Sequence, residues 1–158
     1  MRSAVRGLAV GLALGCPPLL HAQQRLPAER GVRPELRLDA IVARRPTVHA
    51  GVGLERAVGN YARLEGVLAA GSRVGAAGPT FSARGDALVR FVVDPLVRLA
   101  RTPYVAGGVS LRRTGRETRA DLVALLGVQL PERRGYLPAL ELGFGGGARV
   151  GLVLRRGS

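Results

Sequence analysis

The chain has 158 residues, enough for one domain with a substantial core. It carries 24 basic residues, all Arg, against 11 acids, and its single Cys excludes both an internal disulfide and a cysteine-rich zinc site. A net charge of +13 invites a nucleic-acid reading, but an export signal and the distribution of the charge argue against it.

The first residues, MRSAVRGLAVGLALGCPPLLHAQ, open on Arg2 and Arg6, run apolar to Leu20 and close on Leu20-His21-Ala22. A basic start, an apolar middle and a small residue before the cut describe a secretory signal peptide over 1–22, cleaved near Ala22. The apolar run is short for a membrane span and Pro17-Pro18 would break it, which disfavours a retained anchor. Cys16, in Leu12-Ala13-Leu14-Gly15-Cys16, offers lipidation as an alternative, although Ala13 and Leu14 depart from the usual pattern of that signal. Export removes nucleic acid from the expected partners.

Residues 23–34 are polar with two prolines and read as a flexible lead-in to a domain over 35–156. In LRLDAIVARRPTVHAGVGLE, residues 36–55, apolar and polar side chains alternate on both sides of Arg44-Arg45-Pro46. Period two places successive side chains on opposite faces, so this stretch reads as a hairpin of strands 36–43 and 48–56. A turn at Gly59-Asn60 leads to a third strand, 61–70. Residues 71–79 read as a loop, and 80–93 as a fourth strand stopped by Asp94-Pro95. The connector 95–103 has a weak helical period over 96–100. Strands follow at 104–112, 118–130, 136–144 and 148–155, separated by loops at 113–117, 131–135 and 145–147. Connections this short join antiparallel neighbours. Segments of about ten residues match the length that crosses a bilayer at a tilt. The fold class read from this pattern is all-β: an antiparallel up-and-down eight-stranded β-barrel.

Each strand has one charged and one apolar face. The charged face holds Arg37, Asp39, Glu55, Arg63, Glu65, Arg84, Asp86, Arg90, Arg112, Arg119, Asp121, Glu141, Arg149 and Arg155. Cations and anions nearly balance there, and most of the excess charge lies in turns and loops. A narrow lumen cannot hold many unpaired charges, because each would cost several kcal/mol of desolvation, roughly. It can hold a paired network, and the planar guanidinium suits bidentate pairing. The apolar face, with Leu38, Leu68, Val89, Phe91, Leu122, Leu142 and Leu152 among others, carries no charge in the strand middles. Lipid demands that purity, and so does the core of a soluble barrel. Two features favour a polar charged lumen and an apolar lipid-facing exterior. One is the export signal; the other is glycine on the charged face, at Gly51, Gly53, Gly107, Gly127, Gly143 and Gly151, which makes room for Arg in a tight interior.

On these features the chain resembles the small eight-stranded outer-membrane β-barrel proteins of Gram-negative-type bacteria. The likeness spans nearly all of 35–155. It rests on the signal peptide, the dyad repeat, the Thr102-Pro103-Tyr104-Val105-Ala106-Gly107-Gly108-Val109 stretch and the last strand, Gly147-Ala148-Arg149-Val150-Gly151-Leu152-Val153-Leu154. That last strand resembles the family's C-terminal assembly signal, although here Arg155-Arg156-Gly157-Ser158 follow it in place of a final aromatic residue. The resemblance implies outer-membrane lipids and the outer-membrane assembly machinery as partners. Tyr61, Tyr104 and Tyr136 sit at strand starts, where a girdle at one membrane rim would be.

No catalytic constellation stands out, so no enzymatic activity, cofactor or metal is expected. His49 is the only His after residue 22 and reads as a lumen or solvated residue. A Ser–His–Asp set would need Ser72, Ser82 or Ser110 near it, and no motif suggests this. The expected function is an integral outer-membrane barrel with a structural or surface-interaction role and no wide pore. A soluble periplasmic, lipocalin-like barrel binding an apolar ligand is the alternative, and a membrane-barrel enzyme is a third.

Overall fold

Alternating polarity carries through to the backbone as eight strands. They are β1 (Val32–Val42), β2 (Thr47–Val58), β3 (Ala62–Gly75), β4 (Gly78–Val92), β5 (Thr102–Thr114), β6 (Glu117–Gln129), β7 (Tyr136–Phe144) and β8 (Ala148–Arg156). A computed structural model describes residues 31–75, 78–93 and 101–157. The expected signal peptide, Cys16 and the weakly helical 96–100 lie outside the described residues. Each strand pairs antiparallel with the next, and β1 pairs with β8, so the sheet closes into an up-and-down barrel. The barrel read from the sequence is the fold observed.

Closure gives every central strand two hydrogen-bonded neighbours and leaves no edge, the condition for a sheet whose outer face meets lipid. Four prolines fit because each forms a named ladder with one neighbour only. Pro34 pairs with Leu54 just before the β1–β8 ladder begins at Glu35, and Pro79 pairs with Val74 just before the β4–β5 ladder begins at Ser82. Pro138 pairs with Leu154, and the β6–β7 ladder stops at Ala139. Pro103 pairs with Val128, and its carbonyl accepts from the Val93 amide at 3.2 Å. The missing proline N–H thus costs the sheet little.

Most strand ends shift by one or two residues from those read in the sequence, and the largest differences fall in two places. Strand β1 starts at Val32, so Val32–Pro34, expected in the lead-in, already pair with β2. Residues 71–75 and 78–79, expected in a loop, extend β3 and β4. Glycine gives 71–75 the look of a loop, yet Gly71 is a packing position: a Cβ there would overlap the Val48 carbonyl of β2. The alternation in fact continues, with Gly71 and Arg73 on one face and Ser72 and Val74 on the other.

The charged face is inside. Arg37, Asp39, Glu55 and Arg90 are buried, whereas Leu38, Leu68, Leu122 and Phe144 are exposed, Leu122 by 83%. A continuous apolar surface of this extent marks a membrane or partner interface. Among the described residues, no helix is long and apolar enough to cross a membrane. The starts of β1, β3, β5 and β7 and the ends of β2, β4, β6 and β8 share one end, the terminus rim. The opposite strand ends, with the turns at 43–46, 115–116 and 145–147, form the turn rim. Exposed aromatics mark both: Tyr61, Phe91 and Tyr136 near the first, Phe81 and Phe144 near the second. Tyr104 is not among them. It is 2% exposed and points into the barrel, because it shares strand parity with Ser110 and Thr114 rather than with Val105 and Val109. Gly107, expected on the charged face, falls on the outer face for the same reason: its partners Val89 and Ala124 both face outward.

Candidate functional site

Among the described residues, charged side chains converge in the lumen. Strand β1 brings Glu35, Arg37 and Asp39 to it at period-two spacing, an anion–cation–anion row on one face. Its neighbour β8 adds Arg149 and Arg155, and β4 adds Arg84, Asp86 and Arg90. Glu55, Glu65 and Glu141 come from β2, β3 and β7, and all of these are buried.

They form two linked groups. Towards the terminus rim, Arg155 lies 3.0 Å from Glu35, 3.3 Å from both Glu55 and Glu141, and 3.5 Å from Glu65. Arg37 pairs closely with Glu65 and Glu141 and lies 3.3 Å from Glu35, while Arg90 pairs closely with Glu55. In the middle of the lumen, Arg84 donates to Asp39 at 2.5 Å and lies 3.2 Å from Asp86. Arg149 reaches Asp39 at 3.3 Å and Asp86 at 2.9 Å. The Arg37 Nε, 3.7 Å from Asp39, joins the two groups. Sharing of each carboxylate by several guanidiniums suits a low-dielectric interior, where an unpaired charge is far costlier than a paired one.

Tyr104 anchors the first group. Its hydroxyl donates to Glu141 at 2.6 Å and accepts from Arg155 at 3.3 Å. The guanidiniums of Arg90 and Arg155 lie 4.9 and 5.3 Å from its ring centroid, within cation–π range. Its register partner on β6 is Gly127, where a Cβ would overlap the ring.

The remaining candidates sit nearer the rims. Arg112 and Arg119 share Asp121 at 3.4 and 2.8 Å, although Arg119, expected in the lumen, is exposed at the rim, and Arg63 pairs with Glu55 at 3.6 Å. Glu35 and Tyr104 belong to the network although the sequence reading omits both from the charged face. Glu35 lies at the edge of the expected lead-in, but its spacing of two from Arg37 is a usable signal. Tyr104 has the look of a rim residue, but its spacing of eight from Arg112 gives it inward parity.

The lumen also holds His49, whose Nε2 lies 3.0 Å from Ser82 Oγ, itself 3.0 Å from Thr114 Oγ1. Strand register brings His49 and Ser82 together across β3, a pairing no motif announces. Both are 0% exposed, and the Asp39 carboxylate, in register with His49 on β1, is held by Arg84 and Arg149. Glu35, Glu55 and Glu65 have carboxylate oxygens within 4.8 Å of one another, the spacing of a cation site. Arg155 reaches all three, so a guanidinium stands where a metal ion would.

A closed eight-stranded antiparallel barrel with a charged, paired interior and an apolar exterior is the architecture of the small outer-membrane β-barrels. Among solved structures, the chain is similar to the N-terminal β-barrel domain of Pseudomonas aeruginosa OprF, with a TM-score of 0.57 and 13% identity over 79% of this chain and 95% of that domain. At that identity the likeness is one of fold. No family model and no curated protein matches the chain.

Proposed function

We propose that the protein is an integral outer-membrane barrel with a structural, non-catalytic role, exported by a signal peptide cleaved near Ala22 and inserted by the outer-membrane assembly machinery. The observation that carries this reading is the inversion of polarity, with Arg and carboxylates buried inside and most of the large apolar side chains, Leu38, Leu68, Leu122 and Phe144 among them, exposed outside. In water that arrangement would expose a large apolar area and bury ions; in a bilayer it satisfies both faces. The same interior speaks against the lipocalin-like alternative, since its apolar side chains Leu88, Ala106, Val123 and Leu125 already pack on one another and paired ions fill much of the rest. It supports the absence of a wide pore, because Arg37, Arg90, Arg149, Arg155 and Tyr104 fill the cross-section. The turn rim favours a structural over an adhesive role: turns as short as 43–46, 115–116 and 145–147 present little chain for a partner to grip.

Cell fractionation tests the reading. The protein should resist osmotic shock and carbonate washing and come out of the outer-membrane fraction with detergent. Recovery in the osmotic-shock fluid would overturn it in favour of a soluble periplasmic barrel.

A further inference from the structure

The outer wall is not uniform. A groove of about 870 Å³ runs from the terminus rim across β8, β1 and β2 to the middle of β3. Along its length it is apolar, formed by Leu36, Val52, Leu54 and Leu68, all exposed. Gly66 lowers its floor: it faces outward, and a Cβ there would meet nothing within 4 Å. Glu35 contributes only backbone, because its carboxylate is turned into the lumen towards Arg155.

The rim end has the opposite character. Arg134, Tyr136 and Arg156 border it, and Tyr136 and Arg156 are register partners on β7 and β8. Neither Arg134 nor Arg156 has an ion-pair partner among the described residues, unlike the lumen arginines. The turn carboxylate, Glu132, lies towards Gly157 rather than in the groove. Arg134 also occupies an unusual backbone position. Arg133 and Tyr136 bond to each other at 2.8 and 3.0 Å across a two-residue turn, whose central residues Arg134 and Gly135 have φ of 52° and 79°. Such turns favour Asn-Gly, Asp-Gly or Gly-Gly. Arg134 is the only non-glycine residue with positive φ among the described residues. A cation held in a conformation its backbone disfavours points to a use for the cation.

We propose that this groove holds an anionic phospholipid, its phosphate between Arg134 and Arg156 and an acyl chain along Leu36, Val52, Leu54 and Leu68. Tyr136, apolar at the ring and polar at the hydroxyl, sits at the boundary between the two parts of the lipid. The inference rests on the membrane-barrel reading, and its test separates the two.

The protein is folded into phosphatidylcholine bilayers containing a trace of spin-labelled phosphatidylglycerol or spin-labelled phosphatidylcholine. Electron paramagnetic resonance then reads the motionally restricted fraction of each label. One cation near an anionic lipid is worth about fivefold in affinity, so restricted phosphatidylglycerol should exceed phosphatidylcholine by at least about threefold in the wild type. The R134N/R156Q variant should lose the preference, and R44Q/R45Q, which removes as much charge from the turn rim, should keep it. Because Asn suits the turn better than Arg, R134N alone should be no less stable than wild type, so a lost preference cannot be ascribed to misfolding. Insertion is scored separately by heat-modifiable gel migration and protease protection. A chain that fails to insert overturns the membrane reading. A chain that inserts but shows no lipid preference, keeps it in R134N/R156Q, or loses it equally in R44Q/R45Q overturns the lipid site.

Discussion

Removing the charge of Asp39 separates a buried network from a solvated one. Asp39 takes Arg84 at 2.5 Å, Arg149 at 3.3 Å and the Arg37 Nε at 3.7 Å, with its side chain fully enclosed. Arg37 has three other carboxylates, but Arg84 and Arg149 have only Asp86 between them. The Asp39→Asn variant keeps the size of the side chain and leaves two guanidiniums sharing one carboxylate in the middle of the barrel. Breaking a buried pair in this way costs about 3–5 kcal/mol. The matched control is Glu117→Gln, which disturbs the Arg73–Glu117 pair at 3.3 Å, where the Glu117 side chain is 64% exposed. Exposed pairs contribute under about 1 kcal/mol. Urea unfolding in lipid vesicles, followed by the gel shift of unheated samples, reads both variants. Asp39→Asn/Arg149→Gln should recover part of the loss, because the double change removes one stranded cation. Equal and small losses for Asp39→Asn and Glu117→Gln would refute the argument and mean that the lumen is wet enough to solvate its ions.

Three further substitutions probe other parts of the barrel. Gly127→Ala drives a methyl into the Tyr104 ring and should cost about 1–3 kcal/mol through overpacking; unfolding at wild-type urea would show that the ring moves freely. Tyr104→Phe deletes the hydroxyl that donates to Glu141 at 2.6 Å and should destabilise by about 1–3 kcal/mol, with no loss of insertion. Leu38→Arg puts a cation on the outer face near the centre of β1, where lipid would penalise it by about 2–4 kcal/mol. Its folding yield in vesicles should fall while Leu38→Ala inserts normally, and wild-type insertion of Leu38→Arg would mean that Leu38 does not face lipid.

Period-two alternation is a local property, so the number of strands, their order of hairpin pairing and the two faces of each are legible in the order of residues alone. Leu36, Leu38, Ala40 and Val42 lie on one side of β1 and Arg37 and Asp39 on the other whatever the rest of the chain does. The same local pattern misleads where glycine-rich strand resembles loop at 71–75, and where residue type alone places Gly107 on the wrong face. Which face turns inward is not local. Either orientation closes the same hydrogen-bond ladders, and only closure of β1 on β8 with the arginines inside distinguishes them. The partners within the lumen are less local still. Arg37 meets Glu141 across 104 residues and Arg155 meets Glu35 across 120, contacts set by the stagger of strands around the barrel. That stagger also turns Tyr104 from an expected rim residue into the hub between Glu141 and Arg155. Sequence alternation determines that each strand has a charged row; only tertiary structure decides which charges in those rows meet, because pairing depends on the summed register of eight ladders and a one-residue slip in any of them would change every partner.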